Sequence, residues 1–263
     1  EQLAAVDREA LRDAVLAAAA DGAIEIGIVG DIDPDAAIAA VAQSFGALPE
    51  REAEFSDYAD KRTLAFKDLS SDEVVDYTHT GQADQAAVGS IWRTRDDSDF
   101  REAVGLNMLS EVFQLKALEV LREELAATYS PSVSSSTSST FDDFGTFGVS
   151  AVVDPAQVDE VHDIIVRLAG ELRDEAVSED MLLRARQPLL ERMRLARENN
   201  GFWLGVASNA QSEADRLDRI RTQTEVVNSF TPADLQALAQ KYLVPERRAD
   251  SRVLAEGAGE AAE

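Results

Sequence analysis

One stretch, residues 106–154, constrains the fold more than any other part of the chain. It begins as an apolar helix that extends to Leu125, continues through Tyr129 and Pro131, and then becomes polar and strand-like. Apolar side chains lie on several rows of the predicted helix: Met108, Leu109, Val112, Phe113, Leu115, Leu118, Leu121 and Leu125. A helix that is apolar on most of its surface is normally buried. We therefore expect the fold to be organised around this helix.

A cation interrupts one apolar row of this helix, since residues three and four apart lie on one face. The row consists of Leu115, Leu118, Arg122 and Leu125. A guanidinium cannot shed its charge, so it needs an acceptor or an opening to solvent. Tyr129 follows seven positions later, and its hydroxyl can lie near the same helix end. The spacing leaves two interpretations open: a solvent-directed Arg beside a core-edge aromatic, or a pair of functional side chains.

The acidic composition restricts the partners of the chain. Fifty acidic residues stand against 25 basic ones, which gives a formal net charge of −25. Such a field repels phosphate backbones and anionic lipids, so we expect neither a nucleic-acid partner nor a membrane partner. No apolar run is long enough to cross a bilayer. Basic or neutral partners are favoured.

The residues present do not form a complete active site. The chain contains no cysteine, which excludes disulfides, thiolate nucleophiles and Cys-ligated zinc. Its two histidines, His79 and His162, are far apart, and neither belongs to an H-E-x-x-H or H-x-x-E-H motif. There is no G-x-S-x-G elbow and no P-loop. We expect both histidines to be structural, and we predict that this chain binds no metal or other cofactor.

Strand and helix patterns occur in groups along the chain. Alternating or β-branched runs predict strands at 24–29, 63–66, 74–80, 86–92, 132–140 and 144–153. Turn residues at 81–84 and 142–143 predict two hairpins. Apolar stripes with capping residues predict helices at 6–20, 34–45, 100–125, 155–172, 178–199, 202–210 and 231–243.

This grouping predicts an α+β domain of two layers, with a mainly antiparallel sheet and helices packed on one face. We expect a single domain over residues 1–250. Residues 251–263 are rich in Gly, Ala and Glu, and we predict that they form a disordered acidic tail.

The sequence around Arg122 resembles the M16 zinc metallopeptidases (pitrilysin-like or insulinase-like), specifically their zinc-free domain. Residues 121–130 read L-R-E-E-L-A-A-T-Y-S, which matches the family's L-R-E, short spacer and Y-S after a leucine-rich helix. Polar, glycine-containing strands and an Asp-Pro helix start follow, as at 144–147 and 154–155. Upstream, residues 26–33 and 45–49 resemble the family's strand and its helix ending in a G-x-L-P turn. The matches together span roughly residues 7 to 245.

This resemblance implies a role for the two residues already noted. In such peptidases a zinc-bearing half with H-x-x-E-H and a zinc-free half close around a chamber that takes unfolded peptides. The zinc-free half contributes an Arg and a Tyr that contact the substrate near the scissile bond, and Arg122 and Tyr129 match that pair in type and spacing. Their implied role is to hydrogen-bond the substrate backbone carbonyl and to stabilise developing negative charge.

The chain lacks the family's zinc motif, so the resemblance implies that it is not active alone and carries no catalytic residue of its own. We expect it to be a fragment of a longer zinc metalloendopeptidase, or one subunit of a two-chain enzyme, with zinc in the partner domain or subunit. An alternative is a non-catalytic structural or interaction subunit of the same family, and a third is an unrelated small-ligand-binding domain. Because bacterial relatives are often exported, a periplasmic or otherwise exported location is favoured, although the cytoplasm stays open.

Overall fold

A computed structural model describes residues 6–56, 58–64, 74–125 and 131–256. This part of the chain contains eight α-helices: α1 Arg8–Asp21, α2 Pro34–Ser44, α3 Phe100–Leu125, α4 Val158–Asp174, α5 Glu179–Ala196, α6 Asn200–Ala207, α7 Arg216–Ser229 and α8 Pro232–Tyr242. It also contains five strands: β1 Val74–His79, β2 Ala86–Thr94, β3 Ser132–Thr137, β4 Gly145–Val153 and β5 Arg248–Ala255.

The chain divides into two compact units. Unit 1 consists of residues 1–59 and 193–221, and unit 2 consists of residues 60–192 and 222–263. The expectation of one domain over residues 1–250 stays a prediction.

Unit 2 contains a five-stranded sheet in the order β1-β5-β2-β4-β3. β1 pairs with β5 in parallel, and the other three pairs are antiparallel. Along β4, every second side chain from Gly145 to Val153 is buried, while the intervening ones are half-buried or exposed. One face of the sheet is therefore covered, and the predicted α+β fold with a mainly antiparallel sheet is confirmed.

The core of unit 2 lies between this covered face and the helices. Trp92 on β2 and Phe147 on β4 meet edge to face, with ring centroids 6.3 Å apart. Phe113 on α3 packs against Phe147 at 6.0 Å. All three side chains are fully buried, and such aromatic contacts add to the burial of apolar area.

The long apolar helix predicted at the centre of the sequence is α3. Its start is fixed by Asp99, whose carboxylate accepts a 3.0 Å hydrogen bond from the Glu102 N–H. Its buried apolar residues are Val104, Leu106, Met108, Leu109, Val112, Phe113, Ala117 and Leu121. Burial is concentrated in the first two-thirds of the helix, and the side chains of the last turns become progressively more exposed.

The structure near the C-terminal end of the chain contradicts two predictions. Residues 251–255 belong to β5, and so they are not part of a disordered tail. β5 lies between β1 and β2, so the turn at residues 81–84 does not close a hairpin. Turn residues indicate that a chain reverses, but they do not identify the strand that will pair with it. Residues 257–263 lie outside the described part of the chain.

Other predicted elements also differ from the structure. Residues 24–29 have the alternating side-chain pattern of a strand, but they pair with no described strand. Alternation indicates the face on which each side chain lies, and it does not specify a strand with which the backbone can form hydrogen bonds. Thr63 forms a single bridge to Asp142, and residues 65–66 of the same predicted strand lie outside the described residues. α7 was not predicted. The hairpin at residues 142–143 is confirmed by the pairing of β3 with β4.

Polar contacts join segments of unit 1 that are distant in sequence or lie at a helix end. The Arg51 guanidinium donates hydrogen bonds of 2.6 to 2.8 Å to the carbonyls of Ala19, Ala20 and Gly22, which closes the carboxyl end of α1. The Glu25 carboxylate accepts from the N–H of Gln211 at 2.6 Å and from the Ser212 hydroxyl at 2.8 Å. These contacts fix the segment between α1 and α2 against the residues that follow α6.

Candidate functional site

Arg122 lies in the last turn of α3 and is exposed. Among the described residues its side chain makes no ion pair and no hydrogen bond. The other two basic residues of α3 are paired: Lys116 contacts Glu171 at 2.9 Å, and Arg101 contacts Asp234 at 3.7 Å. Arg122 is therefore the basic residue of α3 that has no acidic partner among the described residues, although the chain contains twice as many acidic as basic residues.

The row that carries Arg122 runs from the core to solvent. Leu115 and Leu118 are half-buried, whereas Arg122 is exposed. The cation is therefore not enclosed among leucines, and its position near the carboxyl end of the helix is favourable to the helix dipole. The helix dipole explains why a cation is favourable at this position. It does not explain why the guanidinium lacks an ion-pair partner among the described residues.

Tyr129, the second predicted site residue, lies outside the described residues, as do residues 126–130 around it. The described segments on either side are joined by Gln114 of α3. Its side-chain amide donates a 2.8 Å hydrogen bond to the Pro131 carbonyl, and its oxygen accepts a 2.9 Å hydrogen bond from the Val133 N–H. The sequence alone does not mark Gln114 as important, because a Gln on a helix face belongs to no motif.

An ion-pair network lies on the surface that α3 shares with α4. Arg167 contacts both carboxylate oxygens of Glu124 at 2.8 and 2.9 Å and reaches Glu171 at 3.2 Å. Burial opposes ionisation of Glu171, but Lys116 and Arg167 outweigh it, and the pKa of that carboxyl is lowered. Arg122 stands two residues before Glu124, and residues two apart on a helix do not face each other. Arg122 is therefore not part of this network.

A buried polar cluster in the sheet contains Ser, His and Asp and calls for a chemical test. Ser90 donates to Asp250 at 2.6 Å, and His162 Nε2 lies 3.3 Å from the other carboxylate oxygen. In a Ser-His-Asp triad the imidazole contacts the hydroxyl so that it can take its proton. Here the hydroxyl contacts the carboxylate directly, and both Ser90 and Asp250 are buried. The cluster therefore joins elements of the fold and does not activate a nucleophile.

The two histidines have structural contacts. His79 Nε2 lies 2.9 Å from the Gln85 carbonyl, and its Nδ1 accepts a 3.0 Å hydrogen bond from the Gly81 N–H. These contacts place the proton on Nε2 and order the turn after β1. His162 is held beside Asp250. In the described ranges, no group of three or more His, Asp or Glu side chains is arranged to hold a metal ion.

The fold and the residues at the end of α3 define a class of protein. A mainly antiparallel sheet is covered on one face by helices, and the long core helix ends in an L-R-E sequence with an exposed Arg. This describes an α+β domain with the layers expected of the M16-like fold. Residues 5–189 match the family model described as the Peptidase M16 inactive domain, and the chain belongs to this family.

Solved structures show the same fold. The chain is 15% identical to a protease from Helicobacter pylori, with a TM-score of 0.67 over 86% of this chain and 54% of that one. It is 14% identical to the periplasmic protease PqqL from Escherichia coli, with a TM-score of 0.65 over 86% of this chain and 25% of that one. A chain of complex III2 from Candida albicans is 12% identical, with a TM-score of 0.66 over 85% of this chain and 53% of that one.

These identities are low, so the likeness establishes the fold alone. The chain spans between about a quarter and about half of the length of these solved chains. No curated protein sequence is significantly similar to it. Among the described residues, no helix has both the length and the apolar composition needed to span a bilayer.

Proposed function

We propose that this chain is the substrate-binding, chamber-forming half of an M16-type zinc metallopeptidase that cleaves peptides. Zinc and the general base belong to another domain or subunit. The chain itself performs no hydrolysis, and its part in the reaction is to bind and orient the peptide.

One observation carries this proposal: the Arg122 guanidinium is exposed and makes no ion pair or hydrogen bond within the described part of the chain. A guanidinium presents several donors in a fixed plane, which suits a peptide carbonyl whose oxygen becomes negative during hydrolysis. We propose that Tyr129 supplies a second donor to the same carbonyl, on the basis of its place in the family's Y-S sequence.

The charge of the chain supports a substrate class. With a net charge of −25, the protein attracts basic peptides and repels acidic ones over distances of about a Debye length. The proposed substrate is therefore an unfolded peptide of basic or neutral composition. For location we propose the periplasm or another exported site, on the basis of the fold that the chain shares with the periplasmic protease of Escherichia coli.

The assembled peptidase, with its zinc-bearing half present, tests the role of Arg122. We expect Arg122→Ala to lower kcat/KM for peptide hydrolysis by about 100-fold, since loss of one donor to a developing oxyanion costs on the order of 100- to 1,000-fold. Arg122→Lys keeps the charge but loses the planar set of donors, and we expect it to recover only part of the activity. Tyr129→Phe should lower kcat with a smaller effect on KM.

A matched control is Arg184→Ala. Arg184 is 46% exposed and forms an ion pair with Glu119 of α3, so its loss removes one exposed guanidinium without touching the proposed site. The control variant should retain normal turnover. Unchanged kcat/KM in Arg122→Ala would reject the proposed function.

A second candidate function is a structural or interaction subunit without a role in catalysis. The observation in its favour is the fold shared with a chain of complex III2. This alternative predicts that Arg122→Ala leaves turnover of the assembly unchanged, while removal of the whole chain prevents the assembly from forming.

A further inference from the structure

The outer edge of β3 exposes unpaired backbone groups. β3 is the last strand of the sheet and pairs only with β4 among the described strands. In an antiparallel pair, alternate residues direct their N–H and C=O groups towards the partner strand and away from it. Ser138, just after the strand, donates to the Phe144 carbonyl at 2.9 Å, so residues of the same parity face β4. The backbone groups of Val133, Ser135 and Thr137 therefore face outward.

The first outward groups of this edge are already occupied by a side-chain amide. Gln114 accepts from the Val133 N–H and donates to the Pro131 carbonyl, at 2.9 and 2.8 Å. One residue of an added neighbouring strand would bond two such positions in the same way, because its own N–H and C=O point to the same side of the strand. The first outward backbone groups of the β3 edge are thus already hydrogen-bonded to an amide group. No described residue bonds the outward groups of Ser135 and Thr137 beyond it.

β3 also lacks the features that usually prevent strand addition. Edge strands are commonly protected by Lys or other charged residues, by Pro or by bulges. β3 consists of four Ser, one Val and one Thr, and its register with β4 is continuous from Ser132 to Thr137. Its small side chains leave room beside the strand for the larger side chains of a neighbour.

We infer that this edge binds an extended peptide of basic or neutral composition by strand addition, with Ser135 and Thr137 providing the backbone hydrogen bonds. The inference rests on the proposed function, since it adds a second contact for the same peptide class. Main-chain pairing gives affinity without demanding a particular sequence, and the net charge of −25 favours basic occupants.

Amide hydrogen exchange of the 263-residue chain, followed residue by residue by NMR, tests this inference without any substitution. Without peptide, the amides of Ser135 and Thr137 should exchange fast and those of Ser134 and Ser136 slowly. A saturating synthetic peptide of about ten residues that alternates Val and Lys, long enough to span the strand, should slow exchange at Ser135 and Thr137 by about tenfold or more.

Two variants provide the matched comparison. Ser135→Pro removes an outward N–H and no bond to β4, and it should weaken peptide binding by about three- to tenfold per lost hydrogen bond. Ser135→Ala keeps the N–H and should bind the peptide with unchanged affinity. The exchange measurement uses the natural chain, so it decides the question even if the Pro variant fails to fold.

The outcomes separate this inference from the proposed function. Slowed exchange at Ser135 and Thr137 supports the edge as a peptide site. Peptide binding without slowed exchange there overturns the inference, as does the absence of any peptide binding. The role of Arg122 is judged independently, from turnover of the assembled peptidase.

Discussion

Ser90 and Asp250 stand directly opposite each other on β2 and β5, and the Ser90 hydroxyl donates a 2.6 Å hydrogen bond to the carboxylate. Arg248 Nε donates to the same carboxylate at 2.9 Å, and His162 of α4 lies 3.3 Å from it. A buried carboxylate requires such partners, because burial without them favours the neutral form. Here the hydrogen bonds and charges outweigh burial, and the pKa of Asp250 is lowered.

Replacement of Asp250 should therefore destabilise the sheet strongly. We expect Asp250→Ala to lower the free energy of unfolding by about 3 kcal/mol, since it leaves the buried partners of the carboxylate unsatisfied. Urea denaturation measures this loss. Asp76→Ala is a matched control, because Asp76 is 55% exposed and pairs with Arg252 at 2.8 Å on the neighbouring strands. An exposed pair contributes about 1 kcal/mol or less, so equal losses in the two variants would contradict the prediction.

Asp96 should make the stability of the protein depend on acid pH. Burial opposes its ionisation, but hydrogen bonds from Ser98 and from the Asp143 N–H, together with Arg95, lower its pKa to about 2. The unfolded chain has the ordinary value of 3.8. A depressed folded-state pKa gives stability that is complete above about pH 4 and is lost as the pH falls through 2, on the order of 2 kcal/mol in total.

Unfolding free energies of the natural chain and of Asp96→Asn, measured from about pH 5 to pH 2, check this expectation. Other carboxyls titrate in the same range, so the relevant quantity is the difference between the two proteins. That difference should shrink as the pH falls. If the difference in unfolding free energy stayed constant with pH, Asp96 would not be responsible for the pH dependence of stability.

The sequence predicted the layers of the fold better than the pairing of its strands. The α+β fold predicted from the grouping of elements is confirmed, and α3, expected to be buried because most of its surface is apolar, carries eight buried apolar residues. The hairpin expected at residues 81–84 fails because β5, more than 150 residues later in the chain, pairs between β1 and β2. β5 has mixed polarity, with Arg248, Asp250 and Arg252 among its residues, so its sequence does not resemble a buried strand.

The candidate site was predictable to the extent that it depends on a local pattern. Arg122 lies in the last turn of a leucine-rich helix and belongs to a recognisable L-R-E sequence. Gln114 and the outward groups of β3 could not be found in this way, because their importance depends on which strand is at the edge and which helix crosses it. The Asp250 cluster was missed for the same reason, since its members lie 160 residues apart.

Gly145 should not tolerate even a methyl group. A Cβ at this position would lie 2.1 Å from the Arg95 carbonyl oxygen and 2.9 Å from the Ser136 carbonyl oxygen, and backbone atoms cannot move aside cheaply. We expect Gly145→Ala to lower the free energy of unfolding by about 3 kcal/mol. Gly148→Ala in the same strand is the control, because its Cβ would meet only Ser134 Oγ at 3.7 Å. Thermal unfolding that shifted equally in both variants would contradict the steric argument.

Gln114 should stabilise the junction between α3 and β3 through both of its hydrogen bonds. Gln114→Ala leaves the Val133 N–H and the Pro131 carbonyl without their partner, and we expect a loss of about 1–2 kcal/mol in unfolding free energy. Faster exchange of the Val133 amide should accompany this loss.

Gln114→Glu can still accept from the Val133 N–H but cannot donate to the Pro131 carbonyl when ionised. The Val133 amide should therefore keep most of its protection from exchange in this variant. Asn107→Ala removes an exposed amide side chain from the same helix, and it should change neither quantity. If Val133 exchanged at its natural rate in Gln114→Ala, another group would have to satisfy that N–H, and the assignment of Gln114 as the first occupant of the β3 edge would be wrong.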